Sequence, residues 1–225
     1  MEDHLQQHTR SMKPSLLLIT GWAHGTEEMQ PVADALAMDY DVRILTGAQA
    51  LADRSIPSSN YIVASSMGGL LAMERLPDSC NKLVLISSTA KFCAAEDYPC
   101  GTREKTLRRM ILQLKRNPEA VLEEFFRNVH HPNTYHTCAG VEEPLNSLCL
   151  GLEYLLISDV RAKVPNIGIP VLLLHGAEDR IIPPSAAEWL QKHLPDSRLS
   201  VFENDGHALP AHHFSEVMDE ILHFL

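Results

Sequence analysis

Short apolar runs alternate with amphipathic segments along most of this chain. Six runs are apolar at nearly every position, which is typical of parallel strands covered on both faces. Amphipathic segments that follow several of these runs predict helices over 26–38, 67–76, 185–193 and 215–225. The alternation predicts an α/β protein with a mostly parallel sheet and helices on both faces. The six predicted strands are 16–19, 42–45, 61–64, 82–86, 171–174 and 199–202.

The alternation stops between about residues 89 and 165, where every apolar pattern has the helical period. One apolar stripe runs from Leu107 to Leu114 with i, i+3, i+4 and i+7 spacing. Asn117 followed by Pro118 predicts the start of another helix. A helical insert between two strands of a parallel sheet predicts a lid over the edge where such sheets bind ligands.

This pattern divides the chain into two parts of unequal size. Residues 1–13 are polar, have no hydrophobic period and are interpreted as a tail. Residues 14–225 are long enough for one domain, with the lid at about 90–165.

Composition and charge exclude several classes of function. The 225 residues include 19 Lys and Arg against 29 Asp and Glu, a net charge of −10 that argues against nucleic acid as a partner. No apolar run is long enough to span a membrane, and the N-terminus has no apolar signal region. The five cysteines are odd in number and form no C-x-x-C pair, which favours a reducing compartment. We therefore expect a cytoplasmic protein.

The segment 61–71 contains the strand, serine turn and helix of a nucleophile elbow. The turn is so tight that the residues two before and two after the nucleophile must be small. Ser66 satisfies this rule with Ala64 and Gly68, whereas Ser65 would place Met67 in the crowded position. Ser66 is therefore the candidate nucleophile.

A serine nucleophile needs a base that removes its proton and an acid that orients the base. Asp179 follows the strand at 171–174, and His207 lies on a short loop after the strand at 199–202. We predict Asp179 as the acid and His207 as the base. Glu178 is the alternative acid, and His175 is interpreted as part of the packing at the strand end.

Acyl transfer also needs hydrogen-bond donors for the negatively charged oxygen of the tetrahedral intermediate. The backbone amide of Met67 follows the candidate nucleophile at a helix N-terminus. The amide of Trp22 lies in a glycine-rich loop after the first strand. We predict these two amides as the oxyanion hole, and the Trp22 side chain as a wall of the acyl pocket.

Taken together, these motifs resemble the pimeloyl-[acyl-carrier protein] methyl ester esterases of biotin synthesis, a family of α/β-hydrolases. The resemblance covers nearly the whole chain from Leu16 onward. It is carried by Gly21-Trp22, by Ser66-Met67-Gly68-Gly69, by 83–92 with Ser87-Ser88, by 151–155 with Asp159-Val160-Arg161, by 176–179 and by Gly206-His207-Ala208.

The resemblance implies an α/β-hydrolase fold and a serine carboxylesterase that uses Ser66, His207 and Asp179 and needs no metal or organic cofactor. Three features depart from the family pattern. Ala64 replaces the elbow glycine, and Ser65 stands where this family typically has tryptophan. Only fifteen residues, 46–60, separate two strands, so a helix there must be short or missing.

A basic segment stands out in this acidic chain. Residues 101–116 contain six cations and one anion. One interpretation is a solvated helix face, and the other is a docking surface for the acidic acyl-carrier protein, with Arg108, Arg109 and Arg116 as contacts. The resemblance favours docking, because this family has carrier-binding arginines on its lid.

Other functions remain alternatives at this point. His130, His131 and His136 lack the helical spacing and short-spaced cysteine partners of a zinc site, so no metal is predicted. A general short-chain esterase or thioesterase would use the same catalytic residues on another substrate. A non-catalytic binding module with the same fold is a further alternative.

Overall fold

The computed structural model describes residues 13–53, 55–134 and 143–225. Six strands form a single sheet in which every neighbouring pair is parallel. All six predicted strands are present, with ends that differ from the prediction by at most two residues. The strands are β1 (Ser15–Ile19), β2 (Asp41–Leu45), β3 (Tyr61–Ser65), β4 (Lys82–Ile86), β5 (Val171–Gly176) and β6 (Ser197–Phe202).

The strand order β2-β1-β3-β4-β5-β6 makes β1 the point where the chain changes direction across the sheet. In the register, Ile19 at the end of β1 pairs with Ala64, two residues before Ser66. Open α/β sheets bind ligands in the crevice at such a switch point, outside the carboxyl ends of the strands. The topology therefore places the predicted elbow where a ligand would bind.

Nine α-helices lie among the described residues. The predicted helix 26–38 is divided into a 3-10 helix, Thr26–Glu28, and a shorter α-helix that Pro31 starts in its first turn. The helix expected to be short has only six residues, so that expectation is confirmed. The helices are α1 (Gln30–Leu36), α2 (Gly47–Ala52), α3 (Met67–Glu74), α4 (Glu104–Leu114), α5 (Pro118–Val129), α6 (Leu145–Ile157), α7 (Pro184–His193), α8 (Leu209–His212) and α9 (Phe214–Phe224).

Apolar side chains on both faces of the sheet form two separate cores. Along β1, Leu17 faces one core and Leu18 the other, as the two-residue period of a strand requires. The first core includes Leu107 of α4 and Leu148 of α6, and the second includes Val217 of α9. Helices therefore cover both faces, which explains why the strands are apolar at nearly every position.

Helices α4, α5 and α6 form the insert between β4 and β5, here called the helical insert. The Asn117 side chain caps α5 by accepting a hydrogen bond from the amide of Ala120 at 3.3 Å. Residues 1–12 of the predicted tail lie outside the described residues. Within the described ranges, no helix is long and apolar enough to cross a membrane.

Candidate active site

The turn after β3 holds Ser66 in a conformation that few residues adopt. Its φ of 51° and ψ of −120° lie outside the ordinary regions for a side-chain-bearing residue. Such a backbone costs of order 1–3 kcal/mol and persists only where its surroundings enforce it. A Cβ atom at Gly68 would lie 2.6 Å from the carbonyl oxygen of Thr20, so a larger residue there would force β1 and α3 apart.

Two adjacent serines after β4 link the Ser66 turn to the loop that carries His207. The Ser88 hydroxyl donates a hydrogen bond to the carbonyl oxygen of Ser66 at 3.0 Å. The Ser87 hydroxyl donates to the carbonyl oxygen of His207 at 2.9 Å. Ser87 has a positive φ of 46°, which turns the two hydroxyls toward different partners. The structure thus holds Ser66 and His207 on either side of one short turn, a role the sequence patterns did not reveal.

Asp179 is the most completely satisfied polar side chain of the site. Its Oδ1 accepts hydrogen bonds from the amides of Ile181 at 2.8 Å and Ile182 at 2.9 Å. Its Oδ2 lies 2.7 Å from Nδ1 of His207 and 3.3 Å from Nε2 of His175. Burial raises the pKa of Asp179, but the coulombic pull of His207 and hydrogen bonds from both histidines outweigh burial and hold it well below its usual range. The carboxyl group therefore stays ionised.

This arrangement fixes the chemistry available to His207. A carboxylate at Nδ1 accepts the ring N–H, so a neutral ring carries its lone pair on Nε2. That Nε2 atom is buried and has no hydrogen-bond partner among the described residues. It can take a proton from a hydroxyl group brought within reach. Glu178, the alternative acid, instead lies 3.4 Å from His131, and its side chain is 44% exposed.

The two amides predicted as oxyanion donors both border the Ser66 turn. Met67 is the first residue of α3, so its N–H has no carbonyl partner within its own helix. Trp22 follows Gly21, whose Cα faces Ser66 so closely that a Cβ there would lie 3.1 Å from the Ser66 Cβ. The indole N–H of Trp22 donates to the carbonyl of Leu148 in α6 at 2.8 Å. The side chain is thereby directed toward the helical insert.

A cavity of about 380 Å³ opens beside Ser66 and Trp22. The helical insert forms most of its wall, and Arg109, Glu124 and Arg180 contribute charged groups to its lining. The lining is more apolar than polar, so the cavity can accommodate an aliphatic chain. Its apolar lining residues include Leu107, Met110, Val121, Phe125, Leu152 and Leu155.

A second, more open cavity of about 480 Å³ lies away from these residues. Its charged lining is already paired, because Arg161 contacts Asp97 and Asp159 at 2.8 Å each. The pair with Asp159 is bidentate, which satisfies most of the guanidinium. The cavity at Ser66 is therefore the candidate site for the reaction.

The end of α5 is fastened to the His207 loop. The carbonyl of Val129 accepts a hydrogen bond from the amide of Ala208 at 3.2 Å. Asn133 donates to Oδ1 of the fully buried Asp205 at 3.1 Å, and burial raises the pKa of Asp205. A Cβ on Gly206 would lie 1.8 Å from the carbonyl oxygen of His131. The helical insert and the His207 loop are therefore packed with no space between their backbones.

The three arginines predicted for docking are exposed at or just beyond α4. Arg108 is already paired with Glu104 at 2.6 Å, whereas Arg109 and Arg116 form no ion pair with another described residue. His136 and Cys138, which were considered for metal binding, lie outside the described residues. Among the described residues, no three His, Cys, Asp or Glu side chains are grouped to hold a metal ion.

Residues 15–212 match the model of a family described as serine aminopeptidase, S33. The chain belongs to this family of α/β-hydrolases. One relative, the pimeloyl-[acyl-carrier protein] methyl ester esterase of Aromatoleum aromaticum, is 30% identical over 87% of this chain and 92% of its own length. The esterase of the same name from Nitrosomonas europaea is 28% identical over 87% of this chain and 89% of its own length.

Solved structures agree on the α/β-hydrolase fold. An esterase from Exiguobacterium antarcticum superposes with a TM-score of 0.81 at 18% identity, over 95% of this chain and 92% of that one. An enol-lactonase from Burkholderia xenovorans LB400 gives a TM-score of 0.76 at 14% identity, over 96% and 92% of the two chains. Membership in a serine-hydrolase family, with relatives named as esterases, identifies this α/β-hydrolase as a carboxylic ester hydrolase.

Proposed function

We propose that this α/β-hydrolase cleaves esters with Ser66 as nucleophile, His207 as general base and Asp179 as the acid that orients His207. The observation that carries the proposal is the 2.7 Å contact between Asp179 Oδ2 and His207 Nδ1, which leaves the buried Nε2 open. The strained Ser66 turn, joined to the His207 loop through Ser87 and Ser88, supports the same assignment.

In the first half-reaction, Ser66 Oγ bonds to the ester carbonyl carbon while its proton passes to His207 Nε2. The amides of Trp22 and Met67 donate hydrogen bonds to the resulting oxyanion. The tetrahedral intermediate then expels the alkoxide, which takes the proton from His207 and leaves as the alcohol. In the second half-reaction, water gives a proton to Nε2 and attacks the acyl-serine, which releases the free carboxylate and restores Ser66.

The proposed substrate is the methyl ester of pimeloyl-[acyl-carrier protein], and the proposed role is in biotin synthesis. The names of the relatives support this substrate, and the largely apolar cavity beside Ser66 can accommodate an aliphatic acyl chain. The reaction releases methanol and a free carboxylate on the acyl chain. No metal or organic cofactor takes part in these steps.

We further propose that residues 14–225 form one domain in which the region 90–165 acts as a lid. Arg109 on α4 and Arg116 just beyond its end would bind the acidic carrier, with Arg108 as a weaker contact because Glu104 already pairs with it. Cysteine usage favours the cytoplasm as the place where the enzyme works.

The test is turnover of pimeloyl-carrier methyl ester by the wild type and by Ser66→Ala, with a nitrophenyl ester as a second substrate. We expect Ser66→Ala to lower kcat on both substrates by at least about 10³-fold. Ser215→Ala, a serine exposed on α9, is the matched control and should keep wild-type turnover.

Three other results would overturn parts of this proposal. Turnover of the nitrophenyl ester alone would retain the catalytic residues and reject the carrier-bound substrate, in favour of a general esterase. Turnover retained in Ser66→Ala would reject the nucleophile. No turnover of either substrate by the wild type would indicate a binding module.

A further inference from the structure

Glu28 connects two segments of the active site that are far apart in sequence. Its Oε1 accepts a hydrogen bond from the Ser65 hydroxyl at 3.0 Å. Its Oε2 accepts one from the amide of Gly21 at 3.2 Å. Ser65 is the residue before the proposed nucleophile, and Gly21 is the residue before Trp22. One partly buried carboxylate therefore holds together the turn with Ser65 and Ser66, here called the serine turn, and the loop with Gly21 and Trp22, here called the oxyanion loop for its proposed role.

The Trp22 amide belongs to the peptide group between Gly21 and Trp22, and its direction depends on how that group is held. The Gly21 carbonyl faces Gly47, where a Cβ would lie only 2.7 Å from the oxygen. In a trans peptide the N–H points opposite to the C=O, so the Trp22 N–H points away from Gly47. A rotation of this peptide group would turn the donor away from its present direction.

Contacts on both sides of this peptide group limit such a rotation. After it, Nδ1 of His24 lies 2.8 Å from the Trp22 carbonyl oxygen, and the Thr20 hydroxyl donates to the His24 carbonyl at 3.0 Å. Before it, the Gly21 amide donates to Glu28. The contacts after the peptide lie within the loop itself, whereas Glu28 ties the loop to the serine turn. Glu28 therefore holds the loop that carries the Trp22 amide in place relative to Ser66.

We propose that Glu28, with Ser65, is a positioning residue that fixes the Trp22 amide relative to Ser66 in this esterase. The inference rests on the proposed function, because it gives Trp22 and Ser66 the roles assigned above. Ser65 occupies the position where the resembled family typically has tryptophan. Its hydroxyl makes a hydrogen bond to Glu28 that the indole of a tryptophan could not make with the same geometry. The pair acts on transition-state stabilisation and not on substrate binding.

The first experiment compares Glu28→Ala, Glu28→Gln and the control Glu27→Ala with the neutral nitrophenyl ester as substrate. Glu27 is exposed, and among the described residues its side chain hydrogen-bonds only to the nearby Gly25 amide at 3.2 Å, so its loss should leave kcat unchanged. Glu28→Ala should lower kcat about 10- to 100-fold with KM changed less than about twofold, which is less than the loss of a whole oxyanion donor. Glu28→Gln should stay within about threefold of wild type, because its amide can accept from Gly21 and donate to the Ser65 hydroxyl.

A second readout separates positioning from general destabilisation. A trifluoromethyl ketone forms a tetrahedral adduct with the serine, so its inhibition constant should rise in Glu28→Ala by the same factor as kcat falls. Ser65→Ala should give a smaller loss, and adding it to Glu28→Ala should cause little further change because the shared hydrogen bond is already gone. Melting temperatures identify any variant that is simply unfolded.

The results distinguish this inference from the proposed function. If Ser66→Ala is inactive and folded Glu28→Ala keeps wild-type kcat and ketone affinity, the positioning role is rejected and the catalytic assignment stands. A rise in KM alone, or a loss in Glu28→Gln as large as in Glu28→Ala, would also reject it. If Ser66→Ala retains activity, the proposed function itself is wrong.

Discussion

The loops after the strands and the helical insert border the same cavity, but they are constrained very differently. Asp179, in a strand-end loop, is held by two backbone amides and two histidine rings in a fully enclosed position. Arg109, on α4 of the insert, is exposed and forms no ion pair with a described residue. The comparison teaches that the fold holds the proposed catalytic side chains in place through many contacts, whereas the proposed docking arginine is held by few.

The largest expected effect tests the strand-end loops, which are the more constrained of the two regions. Asp179→Asn removes the charge that holds His207 in its tautomer, and we expect kcat on the nitrophenyl ester to fall about 10³- to 10⁴-fold at neutral pH. Glu178→Gln, one residue earlier and partly exposed, should change kcat less than twofold. Equal losses in the two variants would reject Asp179 as the orienting acid.

A second test addresses the tight packing between the insert and the His207 loop. Gly206→Ala places a methyl group against the His131 carbonyl and should destabilise the fold by about 2–3 kcal/mol, lowering Tm by about 4–10 °C. Gly168→Ala is the matched control, because a Cβ there meets no atom within 4 Å. Calorimetry measures both, and an unchanged Tm in Gly206→Ala would show that the two backbones can separate freely.

Charge reversal on α4 tests the helical insert, which is the less constrained of the two regions. Arg109→Glu should raise KM for the carrier-bound ester about 5- to 10-fold at low salt, with a smaller effect at high salt because exposed charges are screened. Arg108→Glu should have less effect, since Glu104 already neutralises part of its charge. Lys192→Glu makes the same charge change on α7 and should leave KM near the wild-type value. Equal effects in all three variants would indicate general attraction and not docking at α4.

The smallest effect concerns pH and the end of α5. Burial, with the electrostatic influence of His212 and His24, lowers the pKa of His130 to about 4. The folded state therefore favours the neutral ring. The stability that this preference contributes is fully present above about pH 6.5 and is lost as pH falls toward 4. In His130→Gln, Tm should fall less than in wild type between pH 7 and pH 5. Between pH 8 and pH 7, the Tm of the two proteins should change by the same amount. If the plots of Tm against pH were parallel over the whole range, the lowered pKa of His130 would be contradicted.

The sequence predicted the sheet well because parallel strands must be apolar on both faces, and all six runs stand out from their surroundings. The elbow was also predictable, since only small residues fit at Ala64 and Gly68. The helix ends were predicted less accurately. Pro31 starts a new helix within one predicted helix, and the hydrophobic pattern continues across both pieces without a break.

Several contacts of the candidate site could not be read from the sequence. Ser87 and Ser88 carry no local signal that they link Ser66 to His207, since each contact spans more than twenty residues. Glu28 belongs to an ordinary acidic pair after the oxyanion loop, and only the fold brings its carboxylate to Ser65. Such links depend on chain topology, which the hydrophobic period does not encode.

The position of Trp22 has a spectroscopic consequence. Its indole donates to Leu148 of α6, packs edge to face on Phe125 of α5 with ring centroids 4.7 Å apart, and lies against Gly151. The chain has one other tryptophan, Trp189, which stacks on His193 away from this cavity. In a Trp189→Phe background, the fluorescence of Trp22 would therefore report directly, without any attached dye, when the insert moves off the oxyanion loop and admits water.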